Sequence, residues 1–519
     1  MKTSKKSIKP NIKGKYKKLT FIIIAIGILL RFALASISSV SGDACWQLSA
    51  SRFIAENKRF PLYEPLGRDE PFWAPPLFHI MAAVLYSAFG LIGSGAADFA
   101  MRMLSPLLGS LTLVLAYLIS KKLFDEKTAF HSMLFTAFIP ISIDYNVFSY
   151  VDGAVAFFVA LSVYFALDDK YIKSSVSAGL AGLAKYNGMF VLPLIVYIAC
   201  KRTKDKKSMI KKMLVIFLIP VAIASPWLVR NYIDFGNPFW PFLNFMFNGM
   251  KTTAFESANL QAFKLGNIFS VNSIIFTYLA MFGVPDGDYR NLFFFSIPHI
   301  NFLVGIWLFG TIIFILPFMK SFAIKDKLKG RILLIWILSY VAVLLLYIAN
   351  AAWTATRFFL PAIPALGMLY GVGLSNINSK KTSGKSLIFL KFFNILIFLV
   401  IIGFVFAQTA KIALASKEWS KFSDDFKWIE ENTGKDELII PGVQCLSYHT
   451  KRGALPGAVE NIKKADYVWV NRNFNLERRS IASNEILKAV QENSYKKVYE
   501  NKKTGTAIYK ITPGLTAKC

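Results

Sequence analysis

The feature that most constrains this chain is its series of apolar runs, beginning with Leu19-Thr20-Phe21-Ile22-Ile23-Ile24-Ala25-Ile26-Gly27-Ile28-Leu29-Leu30. Several reach the roughly 20 residues that carry an α-helix across the hydrocarbon core of a bilayer. Inside lipid every backbone polar group must be satisfied within its own segment, so such runs fold as helices. Of the 519 residues, 55% are hydrophobic and only 18% are charged, against about 25% charged in soluble domains. The chain reads as a polytopic α-helical membrane protein. Its start, a basic leader followed by an apolar run and Ala33-Leu34-Ala35, has the outline of a signal peptide. Arg31 interrupts that pattern, and an uncleaved first helix is expected.

The formal charge of +29 is distributed as topology requires. Lysines cluster between apolar segments at 2–18, 121–127, 201–212, 320–331 and 380–385, the positive-inside signature of cytoplasmic loops. Basic surface interleaved with aromatics is missing, which excludes nucleic acid as a partner. Spans are expected at about 19–40, 101–120, 128–145, 150–168, 174–186, 188–200, 211–232, 298–319, 330–350, 357–375 and 385–412. The segment 76–93 is also apolar, but the flanking lysine clusters at 2–18 and 121–127 must share a side. An even number of crossings therefore separates them, and 76–93 is assigned to the outer surface as an interfacial or re-entrant helix. About 11 transmembrane helices result, with the N-terminus cytoplasmic and the C-terminus outside. Residues 1–18 form a basic cytoplasmic leader and 19–416 a membrane domain with outer loops at 41–100 and 233–297. The second loop includes an apolar, interfacial stretch at 268–284.

After about Ser416 charges of both signs return with soluble patterning. Helices are expected at 424–432 and 483–493 and strands at 437–443 and 465–470. A hairpin is expected from 495–499 and 506–511 around Lys502-Lys503-Thr504-Gly505. Residues 417–519 thus read as a small extracytoplasmic α/β domain. No Gly-rich nucleotide-binding motif occurs, so an NTP-driven pump is unsupported. Cys45, Cys200, Cys445 and Cys519 show no metal-binding spacing. Cys45 and Cys445 fall on the same outer side, and the sequence leaves their pairing open.

Ionisable residues beside hydrocarbon are costly and so mark candidate sites. They are Arg31, Asp43, Arg102, Asp144, Asp152, Lys185, Arg230 and Arg357. All but Arg31 sit at the outer ends of spans or in adjoining loops, so acids and bases far apart in sequence share one depth. Arg31, inside the first span, calls for an acid partner. Carboxylates in such a layer suit a general base, and Arg and Lys suit a phosphate at headgroup level. Trp46, Trp73, Trp227, Trp240 and Trp353 fall at the same face. An aromatic belt is the ordinary reading, but Trp46 and Trp73 share the loop of Asp43 and fit a sugar platform. Ordinary readings exist for the others too: a helix dipole for Asp152, snorkelling for Lys185, interface anchoring for Arg230 and Arg357, packing for His79, and a turn at Phe235-Gly236-Asn237-Pro238.

A set of motifs in order carries a resemblance. An acid follows the first span; Trp73-Ala74-Pro75-Pro76-Leu77-Phe78-His79 opens a helix; Arg102-Met103-Leu104-Ser105-Pro106 leads to Tyr117 and Lys121-Lys122-Leu123-Phe124. Then come Ser149-Tyr150-Val151-Asp152, Gly182-Leu183-Ala184-Lys185-Tyr186, Pro226-Trp227-Leu228-Val229-Arg230-Asn231-Tyr232 and Arg357-Phe358-Phe359-Leu360-Pro361. Over residues 20 to about 365 the chain resembles the GT-C fold glycosyltransferases, nearest the protein O-mannosyltransferases and lipid A aminoarabinose transferases. The resemblance implies inverting transfer from a polyprenyl-phosphate sugar donor to a protein, lipid or polysaccharide acceptor on the extracytoplasmic face. It makes Asp43 the catalytic base and Asp152 the second acid. Arg102, Lys185, Arg230 and Arg357 become candidates for the donor phosphate, and Trp46, Trp73 and His79 for sugar or acceptor contact. A divalent cation would draw its ligands from Asp43, His79, Asp144 and Asp152. The chain departs from the family pattern at Ala44, where a Glu is common, and at Ala74, where a Lys or His is common. The competing reading is a transporter or flippase for polyprenyl-linked lipid or sugar, which calls for charges at midplane and repeated halves; neither is visible.

Overall fold

A computed structural model gives the structure of residues 12–61, 71–250, 265–268, 298–322, 324, 326–351, 356–378, 385–443, 445–471 and 484–511. Helix α1 (Ile12–Ile37) is followed by α2 (Asp43–Asn57), α3 (Leu77–Gly90), α4 (Ser94–Arg102) and α5 (Leu104–Leu123). Then come α6 (Glu126–Phe138), α7 (Pro140–Val147), α8 (Asp152–Ala166), α9 (Tyr171–Ala184), α10 (Leu192–Arg202) and α11 (Lys206–Phe235). Two single-turn helices, α12 (Asn244–Phe247) and α13 (Leu265–Ile268), precede α14 (Pro298–Ser321), α15 (Lys327–Ala351), α16 (Ile363–Ile377) and α17 (Lys385–Ser420).

Among the described residues six helices are long and apolar enough to cross a membrane, and a seventh crossing arises if the bent pair α7–α8 counts as one span. Of the other expected spans, 298–319 lies in the 24-residue α14, and those at 150–168, 174–186 and 188–200 are helices of 15, 14 and 11 residues. The expected helix over 128–145 is broken at Pro140, which lacks an N–H and starts α7 after Ile139 turns extended. Helices α7 and α8 then meet at 113°. Helix α3 has 14 residues, a length of about 21 Å at 1.5 Å per residue, short of the ~30 Å hydrocarbon core. It leaves Ile80 and Val84 exposed, as suits the surface placement that charge parity required. The tetrad ending α11 is a turn: Gly236 has φ 70° and the Asn237 side chain accepts from the Phe239 N–H at 2.9 Å. The apolar stretch 268–284 and Trp353 lie outside the described residues, apart from Ile268, which ends α13.

The helices share a polarity. Helix α1 has Tyr16 against Phe130 at one end and presents Ala35 and Ser38 carbonyls to Arg102 at the other. Helix α5 starts just after Arg102, the last residue of α4, and ends past Lys122, which pairs with Asp168 at 2.5 Å just past the end of α8; α8 itself begins at Asp152. Arg202 at the end of α10 reaches Asp169. Lysine-rich ends thus collect at one pole, and Asp43, Asp152, Lys185 and Arg357 at the other.

The expected acid partner of Arg31 is replaced by backbone. Arg31 is fully buried and donates to the carbonyls of Gly27 (2.9 Å), Ala137 (3.1 Å) and Ser142 (3.2 Å) and to Ser142 Oγ (2.8 Å). The break before Pro140 explains the exchange, because it deprives the last carbonyls of α6 of their i+4 donors, and the guanidinium supplies them. Asp144 on α7 instead pairs with Lys411 of α17 at 2.5 Å.

Beyond α17 lie α18 (Ser423–Asn432), α19 (Leu446–Thr450), α20 (Asn484–Glu492) and five strands. These are β1 (Leu438–Ile440), β2 (Gly453–Ala454), β3 (Tyr467–Asn471), β4 (Lys496–Asn501) and β5 (Thr506–Lys510), in sheet order β2-β1-β3-β5-β4. β1 is parallel to β2 and β3; β5 is antiparallel to β3 and β4. The fully buried Asp425 holds α18 to the hairpin, accepting from Tyr499, Asn501 and Thr506 at 2.8–2.9 Å.

Candidate active site

Four of the sequence-selected residues converge, and each is delivered by a local break. Asp43 opens α2 because Gly42, at φ 58°, turns the chain in the left-handed region that a residue with a Cβ avoids. Asp152 opens α8. Lys185 lies in an extended link between α9 and the 3-10 turn Tyr186–Val191. That reversal is tight enough that a Cβ on Gly188 would lie 2.3 Å from the Ala181 backbone, so only glycine fits. Arg357 belongs to the 3-10 segment Thr356–Ala362, whose Pro361 carbonyl is fixed by the Trp336 indole N–H at 3.0 Å.

Asp43 and Arg357 form an ion pair, Oδ2 to Nη1, at 2.5 Å; Asp152 and Lys185 form another, Oδ1 to Nζ, at 2.8 Å. The two pairs are one electrostatic group, since both carboxylates act on both Arg357 and Lys185. Their exposure differs sharply. The Asp43 side chain is 40% exposed and that of Arg357 23%, whereas Asp152 is 2% exposed. Asp43 can therefore meet an incoming group, and Asp152 acts by holding Lys185. Asp152 Oδ2 is buried without a hydrogen-bond partner among the described residues.

Two aromatic residues complete the cluster, and the sequence did not single them out. The Arg357 guanidinium lies 5.3 Å from the Tyr150 ring centroid and the Lys185 ammonium 4.0 Å from that of Phe358. Each cation thus sits between a carboxylate and a ring face. Tyr150 stands two residues before Asp152 and Phe358 one after Arg357, which is the only signal the sequence offered.

The remaining candidates lie elsewhere. Arg102 donates to the carbonyls of Ala35 (3.0 Å) and Ser38 (2.5 Å), capping the end of α1. Arg230 pairs with Asp234 at 2.7 Å, donates to the Phe72 carbonyl at 2.7 Å and lies against Trp227 and Phe235. It ties the segment before α3 to α11. Trp46 and His79 stack at 5.4 Å and are 8% and 0% exposed, packed with Phe72 and Trp227. Trp73 is half-buried, edge-on to Phe242 at 5.7 Å. Trp240 is buried and donates to the Met250 carbonyl.

A divalent cation finds no ready ligand set among the described residues. Among the described residues no three His, Cys, Asp or Glu side chains are grouped to bind one. Asp43, Asp144 and Asp152 each face an Arg or Lys.

Cys45, two residues after Asp43, is disulfide-bonded to Cys445 at the start of α19, 400 residues away, with Cα atoms 5.2 Å apart. The bond joins the helix that carries Asp43 to the C-terminal domain.

Comparison with known proteins places this architecture. The family model for dolichyl-phosphate-mannose-protein mannosyltransferases matches residues 74–229, less than a third of the chain. That stretch includes Asp152 and Lys185 but neither Asp43 nor Arg357. An uncharacterized protein of Aquifex aeolicus is 26% identical over 225 residues, 43% of this chain; the match spans about half, 51%, of that relative. ArnT from Cupriavidus metallidurans is similar in its apo state with a TM-score of 0.63 at 14% identity, covering 95% of this chain and 98% of that one. Its structure bound to undecaprenyl phosphate gives 0.61 over 96% and 98%. The oligosaccharyltransferase AglB from Archaeoglobus fulgidus, in complex with an inhibitory peptide and a dolichol-phosphate, gives 0.54 at 15% identity over 96% of this chain and 74% of that one. The chain has the GT-C fold of these glycosyltransferases, as its motifs led us to expect.

Proposed function

We propose that this chain is an integral-membrane inverting glycosyltransferase that moves a sugar from a polyprenyl-phosphate donor to an acceptor at the extracytoplasmic pole. The observation that carries the reading is the partly exposed Asp43–Arg357 ion pair set beside the buried Asp152–Lys185 pair. The solved GT-C structures with undecaprenyl phosphate and dolichol-phosphate support the donor class.

The geometry divides the work. Arg357 and Lys185 are the cations for the donor phosphodiester, Arg357 through its planar fork and Lys185 as a point charge. When the phosphate takes the guanidinium, Asp43 gives up its ion pair with Arg357 and serves as the proton acceptor. The acceptor O–H or N–H then gives its proton to Asp43 while its heavy atom attacks the anomeric carbon. The bond from that carbon to the phosphate oxygen breaks, and polyprenyl phosphate leaves with the electron pair, neutralised by Arg357 and Lys185. One displacement inverts the anomeric centre. Asp152 positions Lys185 and does not touch the sugar.

Residues 19–416 form the catalytic membrane domain in this reading, with the lysine pole cytoplasmic and residues 417–519 outside. The test is to incubate the purified chain in lipid nanodiscs with a panel of polyprenyl-phosphate sugars and determine the product's anomeric configuration. Transfer or donor hydrolysis with inversion is expected; movement of the lipid across the bilayer with no glycosyl cleavage would contradict it.

A further inference from the structure

The C-terminal domain grips the chain on both sides of Asp43. Three residues before it, the Val40 carbonyl meets His449 Nε2 at 3.4 Å; two residues after it, Cys45 is bonded to Cys445. One turn and more further along α2, Arg52 donates to the Tyr448 carbonyl at 3.0 Å and lies 5.1 Å from the Tyr448 ring, with Asp98 of α4 closing its other side at 2.7 Å. All of these partners but Asp98 come from α19 and the residue before it. The fully buried Cys45 and the nearly buried Cys445 belong to the same hydrophobic cluster as Leu48 and Phe78 of the membrane bundle. A further tie joins Ser39 to Ser416 at the end of α17, Oγ to Oγ, at 3.0 Å.

We infer that the Cys45–Cys445 disulfide is a positioning element for Asp43, holding the first turn of α2 so that the carboxylate meets Arg357. The inference rests on the reading of Asp43 as base. Asp43 is the first residue of α2, directly after a glycine, and its side chain is 40% exposed, while catalysis depends on its placement to about an ångström. Non-covalent contacts at helix ends open readily. A covalent bond within one turn of the carboxylate removes that freedom, and it does so from a domain that otherwise stays clear of the chemistry. The bond also calls for an oxidising compartment, consistent with the outer placement expected from the lysine distribution.

The test uses the full chain in nanodiscs, carrying Cys200→Ser and Cys519→Ser so that only the bonded pair remains. A phosphine reductant delivers two electrons to the disulfide, giving two thiols while the phosphine takes oxygen from water; maleimide counting confirms two new thiols. With the bond reduced, kcat should fall about tenfold or more, with donor KM changed little and the acid limb of the pH dependence of kcat/KM displaced, because in the free enzyme Arg357 no longer holds Asp43 in register. Reoxidation should restore both. Cys445→Ser, which leaves α2 intact, should reproduce the reduced state. A bond that merely stabilises the fold would lower the melting temperature and leave the pH profile in place, and that result overturns the inference. Asp43→Asn separates the two levels. If that variant is inactive and complete reduction leaves kcat and pH profile unchanged, positioning alone fails. If Asp43→Asn transfers normally, the base reading fails and the inference falls with it.

Discussion

In the proposed mechanism Arg357 is the residue on which the site turns: it pairs with the accessible carboxylate of Asp43 before substrate arrives and takes the donor phosphate afterwards. Its planar fork serves both partners in a way that a lysine ammonium does not. Arg357→Lys should therefore raise donor KM and lower kcat, each by about tenfold to a hundredfold, as measured by steady-state transfer assays. Asp152→Asn should act through Lys185. It leaves that ammonium without its 2.8 Å partner and should weaken donor binding more than it slows the chemical step. The individual acids and bases were legible in the sequence because charge beside hydrocarbon is rare and costly. Their pairing was not, since Asp43 and Arg357 are separated by 314 residues and no local pattern encodes which cation meets which acid. Tyr150 and Phe358 were hidden for a different reason: among 47 phenylalanines and 21 tyrosines, a ring that faces a cation looks like one that faces lipid.

At the scale of elements, the site depends on where helices stop. Gly42→Ala forces a Cβ into the left-handed region at φ 58°, which costs about 1 kcal/mol or more, and it turns Asp43 away from Arg357. Thermal stability should fall slightly and kcat much more. Helix α19 makes a pH-dependent dock. Burial against Phe426, with Arg52 and Arg102 nearby, pushes the His449 imidazole down to about 4 from its ordinary 6.5. The unfolded chain binds that proton more readily, so the docked state is fully stable above about pH 6.5 and loses stability as pH falls from there toward 4. Melting curves across that window should slope for the native chain and flatten for His449→Gln. Element boundaries followed sequence signals closely where backbone chemistry was explicit, as at Gly236 and in the C-terminal hairpin. The expected continuous helix over 128–145 shows the limit. Pro140 was visible, but the use of the resulting free carbonyl by Arg31 needs the fold, because donor and acceptor lie 106 residues apart.

For the whole molecule, the polarity of the helices makes a claim about sidedness. Cys200, exposed beside the lysine pole, should face the cytoplasm. In a Cys519→Ser background a membrane-impermeant maleimide should label Cys200 only after the cells are opened; labelling of intact cells would reverse the topology. Charge parity is the sequence signal behind this expectation and behind the surface assignment of α3, because lysine distribution records how a chain is inserted, and the labelling tests it. The disulfide was not readable, since spacing alone cannot choose among cysteines on one side. The most direct measurement of the central claim is single-turnover transfer by Asp43→Asn, with donor binding followed in parallel. The account expects the variant to bind the polyprenyl-phosphate sugar at least as well as the native chain, because Arg357 is released. It expects transfer to slow by about a hundredfold to ten-thousandfold, the usual contribution of a general base. Transfer at the native rate by that variant would contradict it.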